Sequence, residues 1–143
     1  MNKCFSVFIV VVVSLLSGCG VLPQYHAAPG ASTAKLNLKS AGSKWICVSG
    51  ERHRLVGDST GYADIPAGAR LTIGSNYYYN DGYVSTSCNP RTSLVPEPSQ
   101  RYYIDFEIES DRCFALIFKE DATTRTGLAL EPTLSRSSEC ATK

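Results

Sequence analysis

The chain has 143 residues, of which 43% are hydrophobic and 19% charged, the composition of one ordinary globular domain. Lys and Arg total 14 against 13 Asp and Glu, a formal net charge of +1. That balance argues against a nucleic-acid binder, which carries a basic excess or stripe, and leaves no charged tail for electrostatic steering.

The chain opens with Lys3 followed by an apolar run from Phe5 to Leu16 that is broken only by serines. The run is shorter than the roughly 18 apolar residues a membrane span needs, and it fits the core of a secretion signal. Leu16-Ser17-Gly18-Cys19 follows directly. This tetrapeptide resembles the lipobox of bacterial lipoproteins: a Leu-like residue, two small residues, then Cys. The small residues let the backbone lie extended in a peptidase cleft, and the Cys19 thiol is the nucleophile on which diacylglycerol is built. The resemblance implies removal of residues 1–18, thioether diacylation of Cys19 and acylation of its new amino group. Each buried methylene contributes about 0.8 kcal/mol, so two or three long chains hold a protein on a membrane where one does so only marginally. Gly20 stands where Asp commonly signals inner-membrane retention, so the implied address is the outer membrane, facing the periplasm. Cys4 lies in the segment to be removed.

Residues 19–34 form the lipidated Cys and a stretch rich in Gly, Ala, Pro and Ser with no period of 2 or 3.6. They read as a flexible tether spanning roughly 20 Å as a random coil. Residues 35–143 read as one all-β domain. Lys35–Lys39 alternates. Lys44–Ser49 and Arg52–Val56 flank a turn at Gly50-Glu51. Asp58–Gly61 is a turn cluster, Tyr62–Ile65 a short strand, and Pro66–Gly68 another turn. Ala69–Tyr79 is a long alternating strand, and Asn80-Asp81-Gly82 signals a hairpin that returns along Tyr83–Cys88. Asn89-Pro90 and Pro96-Glu97-Pro98 mark loops. Arg101–Glu109 and Arg112–Lys119 are the clearest strands, joined at Ser110-Asp111. A weaker strand covers Thr126–Leu130.

Strands at this spacing predict a small antiparallel β-sandwich, immunoglobulin- or transthyretin-like. Tyr102, Ile104, Phe106 and Ile108 share one strand face and should point inward, with Phe114, Leu116 and Phe118 as the matching set. Leu71, Ile73, Ile46, Val48 and Trp45 complete the expected core.

Cys47, Cys88, Cys113 and Cys140 remain after the lipid cysteine, and an even count in an exported domain reads as disulfides. Four cysteines allow three pairings. Cys88–Cys113 is favoured because both sit at strand ends near a hairpin-like return, which leaves Cys47–Cys140. No C-x₂-C pair supports zinc or redox chemistry.

No nucleophile elbow, phosphate loop, dinucleotide fingerprint or zinc-protease motif occurs. His53 with Ser49 or Ser59 and Asp58 supplies the residue types of a triad, but nothing in the spacing assembles them. Asp105, Glu107 and Glu109 share a strand face about 7 Å apart, the pattern of a solvated edge as well as of a cation site. Neither a metal nor a cofactor is expected. The compositional oddity is tyrosine: Tyr77, Tyr78, Tyr79 and Tyr83 cluster around one turn. Their rings could pack over the sheet edge. They are also the best candidate contact surface, with Arg70 and Arg91 as polar partners, because tyrosine offers area with a polar tip.

The expectation is an outer-membrane-anchored lipoprotein whose non-catalytic domain binds or scaffolds an envelope protein or wall component. Cys47-Val48-Ser49-Gly50 resembles the opening strand of small periplasmic lysozyme inhibitors, which makes inhibition of a lysozyme-like enzyme the alternative. An envelope hydrolase using His53 or the acidic strand is a third.

Overall fold

The computed structural model describes residues 21–109, 112–137 and 140. The expected signal segment, Cys19 and the expected turn at Ser110-Asp111 lie outside them. Among the described residues there is no helix. Eleven strands form two sheets: β1 Thr33–Asn37, β2 Ser43–Val48, β3 Glu51–Arg54, β4 Tyr62–Pro66, β5 Leu71–Asn80, β6 Ser85–Cys88, β7 Arg91–Leu94, β8 Arg101–Glu109, β9 Arg112–Glu120, β10 Leu128–Leu130 and β11 Ser135–Arg136. One sheet has the order β10-β9-β8-β1-β4 and the other β11-β7-β5-β2-β3, with β6 paired to the far half of β5. The expected all-β sandwich is what the chain forms.

The core lies between the sheets and draws on both. Leu36, Ile65, Tyr102, Ile104 and Ile117 come from one, and Ile46, Ile73 and Leu94 from the other, all 0–1% exposed. Period-2 alternation puts them there: β1 and β4 each bury every second residue, Ala34 and Leu36, then Ala63 and Ile65. All pairings between strands are antiparallel except β1 with β8, which run parallel.

The β8–β9 register corrects one expectation. Tyr103 pairs with Phe118, Asp105 with Leu116 and Glu107 with Phe114. Phe114, Leu116 and Phe118 therefore lie half-buried on the outer face, and Ala115 and Ile117 face inward. Strand β9 is apolar on both faces, so its alternation does not say which face is inner. The pairing to β8 decides that, because a one-residue slip would turn every side chain over. Ile108, also expected inside, is 45% exposed.

Trp45 is buried on the outside of its sheet rather than in the core. It pairs with Gly74, whose missing side chain leaves a slot that the indole fills, and Arg52 covers the ring at 4.4 Å. The β2–β3 turn falls at Ser49-Gly50, one residue earlier than expected. Both have positive φ (54° and 85°), the twist that two-residue hairpins prefer.

Part of the stretch expected to be a tether is fixed to the domain. Gln24 pairs in parallel with Arg54. Tyr25 N–H donates to Arg54 O at 3.0 Å, and Arg54 N–H to Pro23 O at 2.9 Å. Tyr25 also packs against the core. An edge strand has unpaired backbone groups, and this segment satisfies those of Arg54 at the end of β3. Strand β1 then begins at Thr33, two residues before the expected domain boundary.

Candidate binding surface

The far half of β5 leaves its sheet and pairs only with β6, from Tyr77↔Cys88 to Asn80↔Ser85. Residues 81–84 close the hairpin. Asp81 Oδ1 accepts the N–H groups of Tyr83 (2.9 Å) and Val84 (2.8 Å), and Asn80 Oδ1 accepts that of Gly82 at 2.7 Å. The Val84 and Tyr83 amides hold the Asp81 carboxyl below the usual carboxylate range, so the turn is built around an ionised side chain.

The tyrosines divide by position. Tyr77 is half-buried at the base, its ring 5.0 Å from that of Phe106 on β8. Tyr78, Tyr79 and Tyr83 are 68%, 49% and 98% exposed, and Val84 is 58% exposed. The Tyr78 hydroxyl accepts a hydrogen bond from the Asn80 side-chain amide at 3.0 Å. Exposed aromatic side chains gathered on one tip are unusual for a solvated loop, because each leaves large apolar area in water.

The base of the tip is cross-braced. Cys88 is disulfide-bonded to Cys113 on β9, with Cα atoms 5.9 Å apart, so the hairpin is tied to the opposite sheet. Cys47 is bonded to Cys140, Cα–Cα 5.5 Å, which fixes the C-terminal segment to β2. The first is the pairing favoured from strand position, and the second is the one it leaves.

Arg70 and Arg91 do not join the tyrosines. Arg70 precedes β5, at the other end from the tip, and donates to Ser93 Oγ and Thr133 O, both at 3.1 Å. Arg91 pairs opposite Gly74 and donates from Nε to Ser137 O at 3.3 Å. It lines a cleft of about 480 Å³ with Arg136 and Phe114, where β7, β9 and β11 meet. Both arginines tie down the C-terminal segment, whose β11 strand is too short to show a period in the sequence. Strand β7 is also silent in the sequence: Thr92 and Ser93 are buried polar residues that hydrogen-bond Ser135 O, and they mask the strand's apolar pattern.

The hydrolase candidates are also separate. His53 makes an edge contact with Tyr25, centroids 6.2 Å apart. Asp58 Oδ1 accepts from Thr60 N–H (2.8 Å), Thr60 Oγ1 (2.5 Å) and Tyr62 N–H (3.2 Å), closing the turn at 58–61. Ser49 stands in the β2–β3 turn. Asp105 accepts the N–H of Phe106, and Glu107 and Glu109 are exposed. Asp64 pairs with Lys35 at 2.9 Å. Among the described residues no group of three His, Cys, Asp or Glu is arranged to hold a metal ion.

No protein-family model matches this chain, and no curated protein or solved structure is similar to it at a significant level.

Proposed function

We propose that this chain is a lipoprotein anchored through Cys19 in the outer membrane, and that its sandwich is a non-catalytic binding module. Its contact surface is the tip carrying Tyr78, Tyr79 and Tyr83. The observation that carries this reading is the exposure of three tyrosines on a hairpin held at its base by the Cys88–Cys113 bond. A stiff aromatic surface binds at low entropic cost, because few of its torsions remain to be frozen. The partner is an envelope protein or a wall component in the periplasm.

A photo-crosslinking residue placed at position 83 in the intact envelope tests this. One dominant adduct is expected. Its yield should fall at least several-fold when Tyr78→Ala is added in a chain that keeps its melting temperature. An equal yield with and without Tyr78 would refute the tip as the contact surface.

A narrow protruding tip also suits insertion into an enzyme cleft. That supports the second reading, an inhibitor of a lysozyme-like enzyme. Near-stoichiometric protection of cell walls from lysozyme in a turbidity assay, lost in Tyr83→Ala, would establish it.

A further inference from the structure

The path of the N-terminal segment gives the domain an orientation. The pairing of Gln24 with Arg54 is parallel, so residues 21–25 run in the direction of β3, from its Glu51 end toward its Arg54 end. Strand β3 is antiparallel to β2, and β2 to β5. The chain therefore reaches Pro23 from the side of the Ser49-Gly50 turn. The tyrosine hairpin extends past Ser43 at the opposite end of the same sheet, since Ser43 pairs with Asn76 and Tyr77–Asn80 lie beyond. Thr72, level with Cys47, is eight residues from Asn80, which is about 26 Å of strand before the turns at either end are added.

The reach of the anchor is short. Cys19 is four residues from Pro23, the first residue bonded to β3, and four fully extended residues cover at most about 14 Å. Val21 and Leu22 lie within that stretch, 80% and 36% exposed. Arg52 brings its guanidinium over the outer face of the same sheet, Arg54 is bonded to Pro23 and Tyr25 farther from the turn, and the exposed Glu51 stands at the turn end. Exposed apolar side chains on the segment that leads to the anchor suit the boundary between acyl chains and headgroups.

We infer that the mature domain rests on phospholipid headgroups by its β2–β3 end and points the tyrosine tip away from the membrane. This rests on the lipoprotein reading above. It deepens that reading, because the tip then faces a partner across the periplasm and not one lying in the same leaflet.

The test uses the full lipidated chain purified from the envelope and reconstituted in phosphatidylethanolamine–phosphatidylglycerol vesicles with nitroxide-labelled headgroups. A fluorophore is attached through Glu51→Cys or Tyr83→Cys, both exposed positions. The protein should float with the vesicles, and the probe at 51 should be quenched several-fold more than the probe at 83. Insertion of about a dozen Gly-Ser residues before Val21 should preserve flotation and abolish most of that difference, since a coil of that length adds roughly 20 Å of play. Flotation with equal quenching at 51 and 83, or with an unchanged difference after the insertion, overturns the orientation and leaves the anchor standing. Failure to float overturns the anchor and the orientation with it.

Discussion

The Tyr102 phenol accepts the backbone N–H of Glu97, five residues upstream, at 2.9 Å. The bond spans the corner where the chain leaves β7 in one sheet and enters β8 in the other. A tyrosine bonded back to its own upstream backbone is a recurring corner device of Greek-key sandwiches. Here the ring is also fully buried and stands beside the Glu131 carboxylate, itself 1% exposed.

Tyr102→Phe keeps the ring and removes the hydroxyl. It leaves the Glu97 N–H without its acceptor and the Glu131 carboxylate without its phenol neighbour, a cost of about 1–3 kcal/mol. Urea unfolding should show a lower midpoint at an unchanged slope. The pH dependence is a second check. Burial, above all, raises the Tyr102 pKa over its ordinary 10.0. A raised pKa in the folded state gives stability that is complete below pH 10 and is lost as pH climbs through the folded value. Wild type should therefore lose more stability above pH 10 than Tyr102→Phe.

Lys44 gives the opposite slope at lower pH. Its side chain is 3% exposed, and Nζ donates to the carbonyls of Ser40, Ala41 and Gly42 at 2.9, 2.5 and 2.8 Å. Burial lowers its pKa to about 8, against some opposition from the Asp105 charge. Between pH 8 and 10.5 the unfolded chain binds more protons than the folded one, so stability rises with pH across that window. Below pH 8 both states are charged and the slope from this group vanishes. Unfolding midpoints taken from pH 7 to 9.5 should climb in wild type and stay flatter in Lys44→Met.

Gly74 is required by a neighbour and not by its own backbone. A Cβ at this position would overlap the Trp45 indole. Gly74→Ala must push the ring off the sheet, away from Arg52 and from Asn76, whose Oδ1 accepts the indole N–H at 3.3 Å. Overpacking of this kind costs about 1–3 kcal/mol. Trp45 is the only tryptophan in the chain, so its emission reports the site directly. The variant should melt lower and emit at longer wavelength. Unchanged emission would show that the indole does not occupy this slot.

The parts of this fold that could be read from sequence are those where one strand decides its own pattern. Arg101–Glu109 and the start at Arg112 match β8 and β9, because alternation and turn residues are local. The facing of Phe114 and the placement of Trp45 depend on pairing across the sheet, which no single strand encodes. The parallel contact of β1 with β8 joins segments more than 60 residues apart, and loop composition does not reveal it. The tyrosine cluster was legible because it is consecutive. Arg70 and Arg91 are near it in sequence but not in space, because the 10-residue strand β5 carries Arg70 to the far end and β7 pairs Arg91 back opposite Gly74.

The Cys88–Cys113 bond makes the tip a rigid surface. It closes a separation of 25 residues, and in the chain-entropy account a loop of that size contributes about 3.5 kcal/mol. The Cys47–Cys140 bond closes 93 residues and contributes about 4.6 kcal/mol on the same account, but it lies on the far segment. The two should separate by location and not by size. Removing Cys88 and Cys113 together, as alanines, takes away the covalent tie of the hairpin base to the opposite sheet and leaves non-covalent contacts such as that of Tyr77 with Phe106. Chymotrypsin should then cut after Tyr78, Tyr79 or Tyr83 well below the melting temperature, and capture of the partner should weaken although all three rings remain. Removing Cys47 and Cys140 should lower the melting temperature by a comparable amount and leave both the cleavage pattern of the tip and the capture unchanged.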